Sequence, residues 1–156
     1  MKKKALSLLA FIPAFTTVTA QHPAVPDVCA LVNPIIGTNG MGHTFPGACA
    51  PFGLVQLSPD TDTIPHNVDG VYQKNAYEYC AGYQHRDQTI VGFSHTHLSG
   101  TGHSDLGDIL IMPATGELKL NPGRADTPDE GYRSRFSHET EVARPGYYEV
   151  ELTDYG

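Results

Sequence analysis

Glycine and proline interrupt this chain so often that short strands are favoured over long helices. Sixteen glycines and twelve prolines are spread over 156 residues, and no long stretch keeps apolar residues at a helical period of 3.6. Proline lacks a backbone donor and glycine loses the most entropy on ordering, so both tend to end regular elements. The segments between them are short and apolar. This pattern predicts an all-β fold, namely a β-sandwich.

Three short apolar runs are the first strand candidates. Residues 54–57 and 90–93 are bounded by turn-forming residues, and each predicts a strand. Residues 109–112 are continuously apolar and stop at a proline, which is typical of a strand covered on both faces. Residues 60–76 are polar and without apolar periodicity, so we expect a long surface loop there.

The C-terminal third of the chain shows the alternation of half-buried strands. Apolar and polar residues alternate from Tyr132 to Phe136. Residues 141–144 and 147–153 flank Pro145-Gly146, which predicts a hairpin. In its second arm one face is expected to carry Tyr148, Val150 and Leu152.

The first twenty residues have the pattern of a secretory signal peptide. Lysines at positions 2–4 precede an apolar run at 5–15, and small residues at 18–20 form a cleavage site. The apolar run is shorter than the roughly 20 residues that a membrane-spanning helix needs. We therefore expect residues 1–20 to be removed and residues 21–156 to be exported in soluble form, without a membrane span. The leader looks bacterial, which predicts the periplasm.

The charge balance bears on the class of partner. The chain has a formal net charge of −7, which becomes more negative when the three N-terminal lysines are removed. An acidic protein repels nucleic acid phosphates and anionic membrane surfaces, so we expect no nucleic-acid partner.

Three cysteines, Cys29, Cys49 and Cys80, leave one thiol over in an oxidising compartment. A Cys29–Cys49 bridge would close a loop of about 20 residues and add about 3 kcal/mol of stability. Three free, buried thiols are the alternative, and the sequence leaves both open.

The segment from Phe93 to Asp108 concentrates potential metal ligands around glycines. His95 and His97 are two apart, so on a strand they would face the same way and could hold one zinc ion together with His103. The alternative is a tight, glycine-rich turn whose imidazoles bind backbone groups. A bare His-x-His pattern does not decide between a His-ligated metalloprotein and a turn.

Residues 72–87 combine aromatic and polar side chains in the way that carbohydrate sites do. Sugars stack their C–H faces on aromatic rings, while amides, carboxylates and imidazoles bind the hydroxyls. The alternative is that several of these tyrosines belong to the core. Acids are numerous enough for a glycosidase pair, but no nucleophile elbow, P-loop or dinucleotide motif occurs.

Five strings together resemble the opening of glycoside hydrolase family 92, a family of exported bacterial exo-acting α-mannosidases. They are VNPIIGT at 32–38, GHTFPGA at 42–48, PFGLVQLSPD at 51–60, CAGY at 80–83 and GFSHTHLSGTG at 92–102. The residues from 132 to 139 and the PGYY string at 145–148 extend the similarity to the C-terminus.

The resemblance implies an N-terminal β-sandwich domain that packs on a much larger helical (α/α) barrel domain, which this chain lacks. We therefore expect a fragment whose sandwich is incomplete. In the family, calcium holds the mannose hydroxyls while a glutamic acid and a carboxylate base invert the anomeric centre. These groups belong to the helical domain, so the resemblance assigns no catalytic residue and no metal ligand to this chain.

What remains for this chain is one wall of the substrate pocket and the domain interface. The expected substrates are mannose-rich N-glycans, and the FSHTHLSGTG string is expected to form a structured turn at the pocket or domain boundary. A standalone carbohydrate-binding module is the alternative. The family often has a tryptophan near residues 77–83, and this chain has none. The candidate sugar contacts are Tyr77, Glu78, Tyr79, Tyr83, His85, His95 and His97.

Overall fold

The computed structural model describes residues 26–50, 52–62, 64–100 and 109–155, and these residues form short strands and 3-10 helices. The predicted signal peptide and His103 lie outside the described residues. The strands are β1 (Ser58–Asp60), β2 (Asn67–Val68), β3 (Val71–Tyr72), β4 (Thr89–Ile90), β5 (Gly92–Ser94), β6 (Leu110–Ile111), β7 (Ser134–Arg135), β8 (Val142–Arg144) and β9 (Tyr147–Glu149), and the 3-10 helices are Val28–Leu31, Lys74–Tyr79 and Pro128–Glu130.

The strands pair in four small antiparallel sheets. A three-stranded sheet has the order β1-β5-β6, and β2-β3, β4-β7 and β8-β9 form two-stranded sheets. In the central sheet Pro59 lies opposite Phe93, and Phe93 lies opposite Ile111. The all-β prediction is confirmed, because the described residues contain no α-helix.

A small apolar core lies between the β4-β7 sheet and the residues that follow β9. Tyr83, Ile90 and Phe136 are its buried members. Val150 and Leu152, two of the three residues predicted to share a face of that arm, pack against it, although strand β9 already ends at Glu149. The hairpin itself pairs Arg144 with Tyr147 around Pro145-Gly146, as predicted.

Two of the predicted strands are displaced from their apolar runs. In residues 54–57 only Leu57 makes a β-bridge, to Ala48, and β1 begins one residue later because its partner β5 ends at Ser94. Residues 90–93 divide between two sheets, since the backbone N–H of Val91 donates to the carbonyl of Asp60. Ile90 therefore pairs with β7, whereas Gly92 and Phe93 pair with β1.

The other two corrections concern burial. Residues 109–112 were expected to be covered on both faces, but Leu110 and Ile111 are 41% and 59% exposed, because β6 is the edge strand of its sheet. Residues 60–76 are not one surface loop. Asp60 and Thr61 are buried, and the β2-β3 hairpin lies within the segment.

Arg133 ties the start of that segment to the core sheet. Its side chain is 2% exposed, and its guanidinium donates to Asp62 Oδ1 (3.0 Å), Thr89 Oγ1 (3.1 Å) and the Pro122 carbonyl (3.2 Å). Burial of a charge is tolerated when the group is paired and its donors are satisfied, and this arrangement meets both conditions.

Large apolar side chains are exposed along two segments of the surface, residues 52–57 and 109–120. Phe52, Leu54, Leu118 and Leu120 are each at least 79% exposed. Exposed apolar surface on this scale is typical of an interface. No helix in the described part of the chain is long and apolar enough to cross a bilayer.

The core makes a testable prediction through Ile90, which is fully buried. Ile90→Ala is expected to lower the free energy of unfolding by about 2–5 kcal/mol, because the lost burial leaves a cavity. The matched change Ile111→Ala, at a 59% exposed position, should alter it by less than about 0.5 kcal/mol. Urea denaturation midpoints measure both, and equal losses would contradict this core.

Candidate functional site

His97 lies at the centre of a buried polar group built on β1 and β5. The imidazole is 3% exposed, and its Nδ1 lies 2.7 Å from the Gln56 carbonyl, so this nitrogen carries a proton and donates. Nε2 lies 3.1 Å from both Asp60 Oδ1 and Ser94 Oγ. Asp60 Oδ2 in turn accepts from the backbone N–H of Ser94 at 3.1 Å. The group links three chain segments through one imidazole.

This serine, histidine and aspartate do not form a hydrolytic triad. In a triad one ring nitrogen faces the serine and the other faces the carboxylate. Here Ser94 and Asp60 share Nε2, and Nδ1 is occupied by a carbonyl. All three residues are buried, so the hydroxyl cannot meet a substrate. The arrangement positions the loop that carries His97.

Gly82 closes this polar group from the other side. Its φ of +78° is a left-handed conformation that favours glycine, and a Cβ there would overlap Asp60 Oδ1 and come within 3.0 Å of His97 Nε2. Its carbonyl accepts from the N–H of Thr61 at 2.9 Å. The CAGY string therefore contacts the FSHTH string through Asp60.

The tyrosines predicted to bind sugar differ in exposure. Tyr77 is 39% exposed on the 3-10 helix Lys74–Tyr79, whereas Tyr83 is 1% exposed in the core. Tyr79 is partly buried and donates to Asp87 Oδ2 at 3.0 Å. Burial and the Asp87 carboxylate raise the pKa of Tyr79 to about 12. Of these three rings, Tyr77 is the one with a face available to a ligand.

Glu78 and the three predicted histidines also lie in different settings. Glu78 pairs with Arg86, and the Nδ1 of His95 accepts from the N–H of Ile109 at 3.2 Å. His97 belongs to the buried group described above. His85 lies elsewhere, beside His138. The role of all seven predicted residues in sugar binding stays a prediction.

His43 is a candidate that the sequence prediction missed. Its side chain is buried, and its Nε2 has no hydrogen-bond partner among the described residues. The ring packs edge-on against Tyr77 at 4.8 Å, and its φ of +49° is a strained backbone conformation for a non-glycine residue. The sequence signal was its place between glycines in the GHTFPGA string. A buried imidazole nitrogen without a partner is rare, and it marks a position beside the exposed Tyr77 ring where a polar partner is missing.

His85, His138 and Glu141 form the group of potential metal ligands in the described part of the chain. Of the predicted zinc set, His97 is bonded through both nitrogens and is not available to an ion, and His103 lies outside the described residues. Burial and the hydrogen bond to Glu141 raise the pKa of both Tyr83 and Tyr148, so both hydroxyls remain donors.

Cys29, Cys49 and Cys80 are free, without a Cys29–Cys49 bridge.

An open groove of about 320 Å³ lies away from these residues. It is bordered by Leu110, Leu118, Tyr132 and Tyr155 and contains none of the predicted sugar contacts. Its walls include exposed apolar residues of the segment 109–120. We therefore place the candidate site at Tyr77 and His43, where polar groups and an aromatic face converge.

Comparison with known proteins identifies a relationship over most of the chain. Residues 31–156 match the model of the glycosyl hydrolase family 92 N-terminal domain. The fold is similar to the structure of the family GH92 α-mannosidase BT3965 from Bacteroides thetaiotaomicron in complex with mannoimidazole. The TM-score is 0.72 and the identity 51%, over 83% of this chain and 16% of that protein.

Two further relatives are also described as glycosidases or glycosyl hydrolases. The GH92 family glycosyl hydrolase ccman5 has a TM-score of 0.59 and 36% identity, over 81% of this chain and 14% of that protein. An Arthroderma benhamiae protein described as an uncharacterized secreted glycosidase is 29% identical over 95% of this chain and 17% of its own length. The chain thus spans about a sixth of the length of its relatives.

The buried polar group makes a prediction through Gly82. Gly82→Ala should lower the melting temperature, because the new Cβ meets the Asp60 carboxylate and the positive φ disfavours alanine. Gly53→Ala is the control, since a Cβ at that position has no neighbour within 4 Å. Thermal unfolding of both variants measures the difference. An unchanged Gly82→Ala melt would show that Gly82 does not constrain the group.

Proposed function

This chain belongs to glycosyl hydrolase family 92, and from that premise we propose that it is the N-terminal part of an exported α-mannosidase. Its role there is to form one wall of the substrate pocket and the surface on which the rest of the enzyme packs. The observation that carries the proposal is the 51% identity to an α-mannosidase over 83% of the chain. The proposed substrates are mannose-rich N-glycans.

The chemistry of the wall supports a sugar ligand. Tyr77 offers a partly exposed ring, and the His43 ring packs edge-on against it, with a buried Nε2 that has no hydrogen-bond partner among the described residues. Stacking on sugar C–H groups and hydrogen bonding to hydroxyls are the two contacts that carbohydrate recognition uses. The Glu78 carboxylate lies on the same 3-10 helix as Tyr77.

We propose that the general acid and base of an inverting hydrolysis are supplied from outside this chain. Inverting enzymes need one protonated carboxyl and one carboxylate, separated by about 6.5–9.5 Å around the glycosidic bond. The buried carboxylates here are already committed. Asp60 binds His97, and Glu141 accepts from two tyrosine hydroxyls. Neither is free to transfer a proton to a sugar.

We propose that calcium, which the family resemblance suggests for the whole enzyme, also has its ligands outside this chain. Calcium takes six to eight oxygen ligands from carboxylates, carbonyls and water. The group of three potential ligands in the described residues contains two imidazoles. That donor set does not suit calcium.

The exposed apolar segments support the proposed packing surface. Phe52 and Leu54 are 79% and 86% exposed, and Leu118 and Leu120 are 81% and 85% exposed. We propose that the remainder of the enzyme, a helical barrel domain, covers this surface. Burial there gains about 25 cal/mol per Å² of apolar area.

Export to the bacterial periplasm is part of the proposal. It is supported by the lysine-led apolar segment at residues 1–20 and by the description of the Arthroderma benhamiae relative as secreted. Burial raises the pKa of Cys49 and Cys80, which lowers the reactivity of these two thiols in an oxidising compartment, whereas Cys29 is exposed.

The proposal predicts that residues 21–156 alone do not hydrolyse an aryl α-mannoside, even with calcium present. Release of the chromogenic aryl group measures this, and the longer protein that carries this N-terminal part serves as the positive control. Calcium-dependent turnover by residues 21–156 would contradict the assignment of acid and base to another part of the enzyme. Submillimolar mannose binding by the same protein in calorimetry would favour the carbohydrate-binding module.

A further inference from the structure

Two histidines and a glutamate from distant parts of the sequence meet next to the core. His85 follows Tyr83 in the loop before β4, and His138 and Glu141 lie in the turn between β7 and β8. Their ligand atoms all lie within 4.8 Å of one another. The two imidazole rings have centroids 4.1 Å apart. The fold therefore gathers three metal-ligating side chains without any contribution from the 93–108 segment.

The distances within this group are close to those between the ligands of a bound transition metal. Glu141 Oε2 lies 2.7 Å from His138 Nδ1 and 4.0 Å from His85 Nδ1. Two ligands at roughly 2.0–2.2 Å from a tetrahedral zinc ion are about 3.4 Å apart. The observed separations lie on either side of that value, so small side-chain rotations suffice.

Glu141 is held in place by residues behind it. Tyr83 donates to Oε1 at 2.8 Å, and Tyr148 donates to the same oxygen at 2.7 Å. Hydrogen bonds of this kind orient a carboxylate ligand and keep its other oxygen directed at the ion. In Glu141 that other oxygen, Oε2, faces both imidazoles and also lies 3.0 Å from the Tyr83 hydroxyl. The same hydroxyl is 3.3 Å from His85 Nδ1.

The charge of Glu141 also calls for a cation. Its side chain is 4% exposed, and within the described residues its ion-pair partners are His85 and His138, with no lysine or arginine among them. A buried carboxylate is costly unless a positive charge lies beside it. A divalent ion bound between this carboxylate and the two imidazoles would supply that charge.

The ligand types select the ion. Imidazole nitrogen suits zinc and its transition-metal neighbours, while calcium and magnesium prefer oxygen. Two histidines and one glutamate leave a fourth position for water. His85 and His138 have side chains 41% and 33% exposed, so an ion can enter from solvent.

We propose that His85, His138 and Glu141 form a zinc-binding site that links the loop before β4 to the turn between β7 and β8. The site shares His85 with the predicted sugar contacts, does not include Tyr77 or His43, and is distinct from the calcium proposed for the rest of the enzyme. Zinc binding at this site is expected to stabilise the folded chain. It is therefore tested by binding and thermal unfolding and not by mannosidase activity.

The test is a calorimetric titration of chelator-treated protein with zinc chloride. One equivalent of zinc is expected to bind and to raise the melting temperature, while calcium chloride does neither. His85→Ala and His138→Ala should each weaken zinc binding about tenfold or more, because loss of a ligand costs at least as much as loss of a group that orients one. His66→Ala is the control, since His66 is exposed and outside the group.

Tyr148→Phe is a graded variant that removes one hydrogen bond to Glu141 and leaves all three ligands in place. It should weaken zinc binding about tenfold. If His138→Ala fails to fold, the more exposed His85→Ala decides the question. The proposal is overturned if zinc does not bind, if both His→Ala variants bind zinc as the unaltered protein does, or if His66→Ala loses the site equally.

Discussion

The packing of the segments around β1 and β5 depends on the hydrogen bonds of one buried residue, Asp60. One oxygen lies 3.1 Å from His97 Nε2, the other accepts from the backbone of Ser94, and the Asp60 carbonyl accepts from Val91. The chain before β1, the central strand and the loop after it are thereby joined at one buried residue. Gly82 is needed beside it because any side chain there would occupy the carboxylate's space.

This buried group positions the surface at which we propose that a sugar binds. Gly82 directly precedes Tyr83, which lies in the core. Tyr77 lies a few residues earlier, in the 3-10 helix Lys74–Tyr79. The carbonyl of His43 accepts from Gly100 at 2.7 Å, which links the His43 loop to the end of the FSHTHLSG segment. The loop that carries His43 is therefore held by a backbone hydrogen bond to this segment.

Parts of the structure set by local pattern were predictable. The β8-β9 hairpin follows from Pro145-Gly146 between alternating residues, and the packing of Val150 and Leu152 follows from the same alternation. Edge position cannot be read from a local pattern, so residues 109–112 were predicted to be buried and are exposed.

The candidate sites were less predictable for the same reason. His85 and Glu141 are distant in sequence, and only the packing of the β4-β7 sheet brings them together. Tyr83 was grouped with Tyr77 by composition, yet one ring is in the core and the other is partly exposed. The missing partner of His43 Nε2 could be recognised only from the surrounding atoms. The family strings, in contrast, can be read directly from the sequence, and they lie within residues 31–156, the region that the family model matches.

The central claim is that Tyr77 belongs to the wall of a mannose pocket in a larger glycosidase. The most direct measurement is kcat/KM toward an aryl α-mannoside for that enzyme and its Tyr77→Ala variant. Loss of a stacking ring should lower kcat/KM about tenfold, which corresponds to about 1.4 kcal/mol. Tyr147→Ala, at a 42% exposed position on β9 and outside the segment 72–87, should leave it unchanged. Unaltered kcat/KM in Tyr77→Ala, or an equal loss in Tyr147→Ala, would contradict the account.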